Sequence, residues 1–239
     1  MTFKFNNQTY TFKPRLFPLF SFLVALTILL GLSYWQVKRL IWKTELIEQR
    51  VTSFESEPIS LLDLNNPENE EFKRIKVRGK LLNEFEFFMP ALSKRGNNGF
   101  HILVPLEVNS KLTLIYDTGW VPLQKKEREK RLDNINENEQ DLVAVIRLPG
   151  RKGYFQPEND NKKNFWFFVE PKLMESTISK KLENKFYLEA YNNGPNGYPL
   201  GNQTRIYLRN NHLQYAITWL LISFGLIGVF FFANLKKKK

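Results

Sequence analysis

Two uncharged apolar runs constrain this chain more than anything else in it: Leu16 to Val37, 22 residues, and Leu213 to Leu235, 23 residues. As helices they would measure about 33 and 34 Å at roughly 1.5 Å per residue, enough to cross the hydrocarbon layer of a bilayer. The 175 residues from Lys38 to His212 leave room for one domain of ordinary size between them. The first run is long for the apolar core of a secretory signal and has no small-x-small cleavage site behind it. It passes directly into Trp35-Gln36-Val37-Lys38-Arg39-Leu40-Ile41-Trp42-Lys43, so the expectation is an uncleaved anchor whose helix continues into water to about Val51.

The formal net charge of +11 would suit a nucleic-acid binder, but its distribution argues otherwise. Lys4, Lys13 and Arg15 precede the first run, Lys236 to Lys239 follow the second, and no acid accompanies them. The region between holds 28 basic and 24 acidic residues. The excess therefore speaks of topology, with both tails cytoplasmic and the middle domain outside, and not of nucleic acid. The first tail lacks the Arg- and Ser-rich character of a transit peptide, which favours a bacterial inner membrane and a periplasmic domain. The boundaries expected are a cytoplasmic tail at 1–15, a span at 16–37, a periplasmic domain at 38–212, a second span at 213–235 and a basic cytoplasmic tail at 236–239.

With no cysteine, two histidines and three methionines, the chain has no disulfide, thiolate nucleophile or c-type haem attachment, and a multi-ligand copper or zinc site is disfavoured. GxSxG, HExxH, P-loop and dinucleotide-binding glycine patterns are absent too, so hydrolase and nucleotide readings lack a starting residue. An enzyme reading, a membrane-tethered periplasmic enzyme acting on a lipid or envelope polymer, would have to begin from His101 with Asp117. His101 otherwise reads as a satisfied histidine on the less buried face of a strand. Glu84 and Glu86, two apart on an expected strand, share a face, as a paired acid and base would, but read more simply as solvated charge.

The middle domain reads mostly as short strands: Phe72–Lys80, where Ile75 and Val77 alternate with cations, then Glu84–Met89, Phe100–Val108, Leu112–Tyr116, Leu142–Leu148, Phe165–Val169, Lys185–Ala190 and Arg205–Leu208. Turns are expected at Gly96-Asn97-Asn98-Gly99 and Asn109-Ser110, and a glycine turn at Asp117-Thr118-Gly119-Trp120-Val121-Pro122 with Trp120 capping the core. Helices are expected at Leu123–Leu132 and, opening on a proline, at Pro171–Lys181. The fold class that follows is membrane-anchored α+β: two transmembrane helices flanking a β-rich, antiparallel, barrel- or sandwich-like extracytoplasmic domain.

The second run opens on Asn210-Asn211-His212-Leu213-Gln214-Tyr215-Ala216-Ile217-Thr218-Trp219. On a helix His212, Tyr215, Trp219 and Ser223 fall at i, i+3, i+7 and i+11, a polar and aromatic stripe that lipid would not reward. Trp35, Arg39 and Trp42 form a similar stripe at the corresponding end of the first helix. Two readings stay open: interfacial aromatic belts with a snorkelling arginine, or an imidazole offered to a metal or haem at the outer membrane face, with cations nearby for an anionic cofactor.

The order Trp35-Gln36-x-x-Arg39-x-x-Trp42-Lys43, Gly99-x-His101-x-x-x-Pro105, Gly119-Trp120-Val121-Pro122, Asn164-x-Trp166, Tyr198-Pro199 and Asn211-His212-Leu213-x-Tyr215-Ala216-x-Thr218-Trp219 resembles the Surfeit-locus-one (Surf/Shy) family of cytochrome c oxidase assembly proteins across nearly the whole chain. One position departs: the family usually writes Asn-Arg before Gly-Trp-Val-Pro, where this chain has Asp117-Thr118. The resemblance implies a non-enzymatic assembly factor that helps haem a reach oxidase subunit I. It implies as partners subunit I, the haem a synthesis enzymes and membrane lipid. It further implies haem a as a transient cofactor, with His212 as the iron ligand and Tyr215, Trp219, Trp35 and Arg39 around it. Alternatives are a scaffold that stabilises subunit I without touching cofactor, and the tethered enzyme.

Overall fold

The structure, a computed structural model, describes residues 2–5, 8–150 and 152–237, so Met1, Asn6, Asn7, Lys238 and Lys239 of the expected tails lie outside the described residues. In chain order its elements are β1 (Thr2–Phe5), β2 (Gln8–Phe12), α1 (Leu16–Glu55), β3 (Ile59–Ser60), β4 (Arg74–Leu81), β5 (Phe87–Leu92), β6 (Asn98–Asn109), β7 (Leu112–Pro122), β8 (Glu139–Arg147), α2 (Pro171–Ile178), β9 (Tyr187–Ala190), α3 (His212–Ala233) and β10 (Leu235–Lys237). They divide into two compact units, Met1–Glu48 with Leu208–Lys239, and Gln49–Tyr207.

In the first unit α1 and α3 lie antiparallel, and both are long and apolar enough to cross a membrane. Pro18 is tolerated in the first turn of α1, where its missing N–H has no intrahelical partner to lose. The helix stops before Pro58, whose ring disfavours helical backbone at the residue preceding it. The two helices meet along one seam: Phe22 stacks on Phe230 at 4.1 Å between ring centroids, and Ser33 Oγ donates to the Ala216 carbonyl at 3.0 Å. Most other large side chains of both helices, among them Leu23, Ile28, Leu221 and Phe224, are exposed, the surface a lipid solvent would cover. Beyond the helices β1, β2 and β10 form a small antiparallel sheet.

The second unit is built on a closed barrel. Strands β4, β8, β9, β7 and β6 are neighbours in that order, and Lys80 and Leu81 at the end of β4 pair with Glu107 and Leu106 of β6 to close the circuit. Gly79 makes that corner: a Cβ there would lie 2.6 Å from the Glu107 carbonyl oxygen. The short β3 flanks β4 and β5 flanks β6; the pairings are antiparallel except β3 with β4 and β7 with β9. Alternation puts Val77, Leu106, Leu114, Ala144, Ile146 and Leu188 inside the barrel. A second core lies on its outer side, where Met174 of α2 and Trp166 pack against Leu103, Ile115 and Phe87.

Five expectations give way to tertiary chemistry. Phe165–Val169 is no strand: Trp166 N–H donates to the Phe88 carbonyl at 2.9 Å, and the indole then bonds Asn164, whose amide reaches the Glu86 carbonyl. Arg205–Leu208 is irregular. The helix expected at Leu123–Leu132 is two 3-10 turns, because Arg131 leaves helical backbone (φ −143°) to bury its guanidinium against the Glu86 carboxylate. Glu86 is therefore a buried ion-pair partner and not solvated charge; burial raises its pKa, and the arginine offsets part of that rise. Gly119 is not a turn but a β-bulge inside β7, which runs on to Pro122.

Candidate functional site

The described part of the chain brings each histidine to one partner. In the first unit His212, the first residue of α3, places Nδ1 2.6 Å from Gln36 Oε1 of α1. An amide oxygen can only accept, so Nδ1 carries the proton and Nε2 keeps its lone pair. Gln36 is buried along the helix seam. Ala216, half-buried Trp219 and buried Ser223 continue His212's side of α3, but Tyr215 is 51% exposed. At about 100° per residue Tyr215 sits some 60° off that line, so it is the one member of the expected stripe outside the seam. Arg39 stacks over Trp42 at 4.4 Å, the cation–aromatic contact the spacing suggested. Both, with Trp35 at 50% exposure, face away from the Gln36 line. Among the described residues no cluster of three His, Cys, Asp or Glu could hold a metal, and His212 is the imidazole this seam has to offer a haem iron. The arrangement fits one: a neutral imidazole with Nδ1–H anchored presents Nε2 outward, as metal-ligating histidines do.

In the second unit a polar row crosses the outer face of the barrel over four neighbouring strands: Arg147 of β8, Glu189 of β9, Asp117 of β7 and His101 of β6. The bulge at Thr118 and Gly119, which together oppose Ile102, shifts register so that Asp117 comes beside His101. Gly119 has φ +116° and would drive a Cβ to 2.2 Å from the Leu200 carbonyl oxygen, so only glycine fits the bulge. His101 Nδ1 lies 2.6 Å from Asp117 Oδ2, and Asp117 Oδ1 accepts the Gly119 N–H at 2.9 Å. Glu189 accepts from the Tyr187 hydroxyl at 3.0 Å and the Thr204 hydroxyl at 2.6 Å. Burial opposes a proton on His101, but the charge and hydrogen bond of Asp117, helped by Glu189, outweigh it and raise the pKa. Burial and Glu189 likewise push the Tyr187 phenol well above its usual value. Sequence reading found His101 and Asp117 but not Gln36 as His212's partner, nor Arg147, Glu189 and Thr204. The signal for the last three was faint: Arg147 ends β8, Glu189 is a single charge in β9, and Thr204 lies in a polar stretch outside the strands.

A family model described as the SURF1 family matches residues 23–224. The chain belongs to the SURF1 family. Its relatives include Surfeit locus protein 1 of Takifugu rubripes, 30% identical over 227 residues that cover 87% of this chain and 93% of the relative. Those of Gallus gallus (32% over 206 residues, covering 79% and 66%) and Homo sapiens (29% over 211 residues, covering 81% and 69%) are similar. The matched stretch contains Gln36 and His212 in the first unit and the entire polar row in the second. The SURF1-like pattern also has visible structural content. Trp120 of the Gly-Trp-Val-Pro block donates its indole N–H to the Ala91 carbonyl at 3.1 Å, and Trp166 of Asn-x-Trp is fully buried.

Proposed function

We propose that this SURF1-family chain is a non-enzymatic assembly factor for cytochrome c oxidase that holds haem a transiently and assists its delivery to subunit I. The reading places both tails in the cytoplasm of a bacterium and the barrel unit in the periplasm, with subunit I, the haem a synthesis enzymes and lipid as partners. The observation that carries it is the His212–Gln36 hydrogen bond, which holds Nδ1 and leaves Nε2 as the nitrogen a haem ligand needs. When bound, haem would supply an iron centre that imidazole can ligate. His212 Nε2 would be that ligand, with Gln36 holding the ring in orientation from the buried side. Trp219 lines the same side of α3, while Tyr215, Trp35 and Arg39 lie on exposed helix faces outside the seam, where they would meet only a haem that extends beyond it, Arg39 as the cation for a propionate. A single imidazole holds its cofactor weakly, as a carrier must.

The test is the optical spectrum of the detergent-purified protein co-expressed with haem a synthesis enzymes, beside His212→Ala. Haem a absorbance in the wild type that disappears in the variant is expected. A colourless wild type overturns the haem reading and leaves a scaffold for subunit I, with His212 part of an interfacial belt.

A further inference from the structure

The polar row on the barrel has a lopsided hydrogen-bond inventory. Its two carboxylates are saturated: Asp117 accepts from His101 and Gly119, and Glu189 from Tyr187 and Thr204. Its donors are not. His101 spends only Nδ1, which leaves Nε2 as the unengaged ring nitrogen. Arg147 lies 3.4 Å from Glu71 and 3.9 Å from Glu189 as ion pairs, yet makes no hydrogen bond among the described residues, and its Nε is buried without one. Arg205 and Lys94, both exposed, form no hydrogen bond or ion pair there either. All four residues line one cavity of about 300 Å³, with Met89, Pro90, Ala91 and Phe167 as its apolar wall. A buried donor of a charged group without a hydrogen bond, here Arg147 Nε, costs more than a neutral one, and with His101 Nε2 and the exposed cations beside it the cavity favours a ligand that brings acceptors and negative charge.

We propose that this cavity binds a small oxyanion, the carboxylate or phosphate of an organic ligand, held by His101 Nε2–H and the Arg147 guanidinium and drawn in by Arg205 and Lys94 at the rim. The apolar wall takes a short hydrocarbon body. The cavity's volume limits the ligand to a few carbons beyond its anionic group. The groups facing His101 set when it donates: Asp117 and Glu189 favour the protonated ring and Arg205 opposes it, with Tyr187 neutral. Binding therefore weakens as pH rises and His101 loses its second proton.

The experiment uses the full chain in detergent without haem, so its outcome is separate from that of the haem reading. Because the protein has two histidines, ring-labelled histidine gives two NMR signals, and His212→Gln leaves the one from His101. That signal is followed as inorganic phosphate or succinate is added at constant ionic strength. A saturable shift with either probe is expected, weakened about tenfold in Arg205→Gln or Lys94→Gln, the effect of losing one charge-assisted contact. Saturation with phosphate alone assigns a phosphate ligand, and with succinate alone a carboxylate. A response that stays linear with both probes overturns the proposal, as does a saturable one unchanged in both rim variants; these exposed positions leave the fold in place.

Discussion

The molecule contains its two histidines in two regions and gives each a different companion. In the helical unit His212 leans on the neutral Gln36 amide; in the barrel unit His101 leans on the Asp117 carboxylate. The distances are the same, 2.6 Å, so geometry does not separate them. Charge does. An amide oxygen accepts one proton without stabilising a second, and so presents a lone pair, the property of a ligand. A carboxylate rewards the doubly protonated ring and turns its far nitrogen into a donor, the property of an anion binder. One side chain thus serves opposite chemistries, and the partner one element away decides which.

The comparison breaks most visibly if the carboxylate is removed. Asp117 is 3% exposed and His101 14%, so Asp117→Ala strands a buried imidazole and also frees the Gly119 N–H. The barrel unit is expected to lose about 3–5 kcal/mol, the range for breaking one side of a buried pair, read as a lower urea midpoint with an unchanged slope. A loss below about 1 kcal/mol would mean the pair is solvated and the contrast with His212 is superficial. In the helical unit Gln36→Leu keeps the seam apolar but removes the acceptor. Haem a affinity is expected to drop about 10–100-fold, the usual effect of losing a ligand's orienting partner, measured by optical titration. Undiminished affinity would show that the helices, and not the amide, orient the ring.

How much of this was legible depends on the range of the interaction that fixed it. The apolar runs, the alternation of Ile75 and Val77, and the turn at Asn109, whose Oδ1 caps the Lys111 and Leu112 N–H groups, are local and were readable. The Trp35, Arg39 and Trp42 spacing was equally local, and Arg39 does stack on Trp42. What sequence could not show was pairing across distance. Gln36 meets His212 only after two helices pack, and a glutamine three residues after a serine in an apolar helix looks unremarkable by itself. Glu86 read as surface charge because its partner Arg131 lies in a segment with helical periodicity that abandons the helix to reach it. The glycine at 119 was correctly singled out but read as a turn; a bulge differs from a turn only by the strand that continues beyond it, here supported by the backbone pair between Trp120 and Leu200. Asp117 joined His101 through that same bulge, a register shift no alternation pattern contains.

The smallest effect sharpens the contrast through pH. His101 has a folded pKa above its ordinary value of about 6.5, so the folded state binds that proton more tightly than the unfolded chain does. The sign follows. The stabilisation is fully present below about pH 6.5 and is lost as pH climbs through the folded pKa, at no more than about 1.4 kcal/mol per pH unit for one proton. Glu86, also raised, acts in the same direction from its ordinary 4.5 upward, a contribution common to the wild type and to variants at Asp117. Urea midpoints of the full chain measured from pH 6 upward should therefore decline in the wild type and flatten in Asp117→Asn, which keeps the shape but has one acceptor oxygen in place of two and no charge. The same series in Gln36→Leu should run parallel to the wild type, because no carboxylate partners His212 and the barrel's proton is untouched. Should the Asp117→Asn profile decline as steeply as the wild type, the titrating group would have to be sought elsewhere, and the two histidines would differ in place but not in kind.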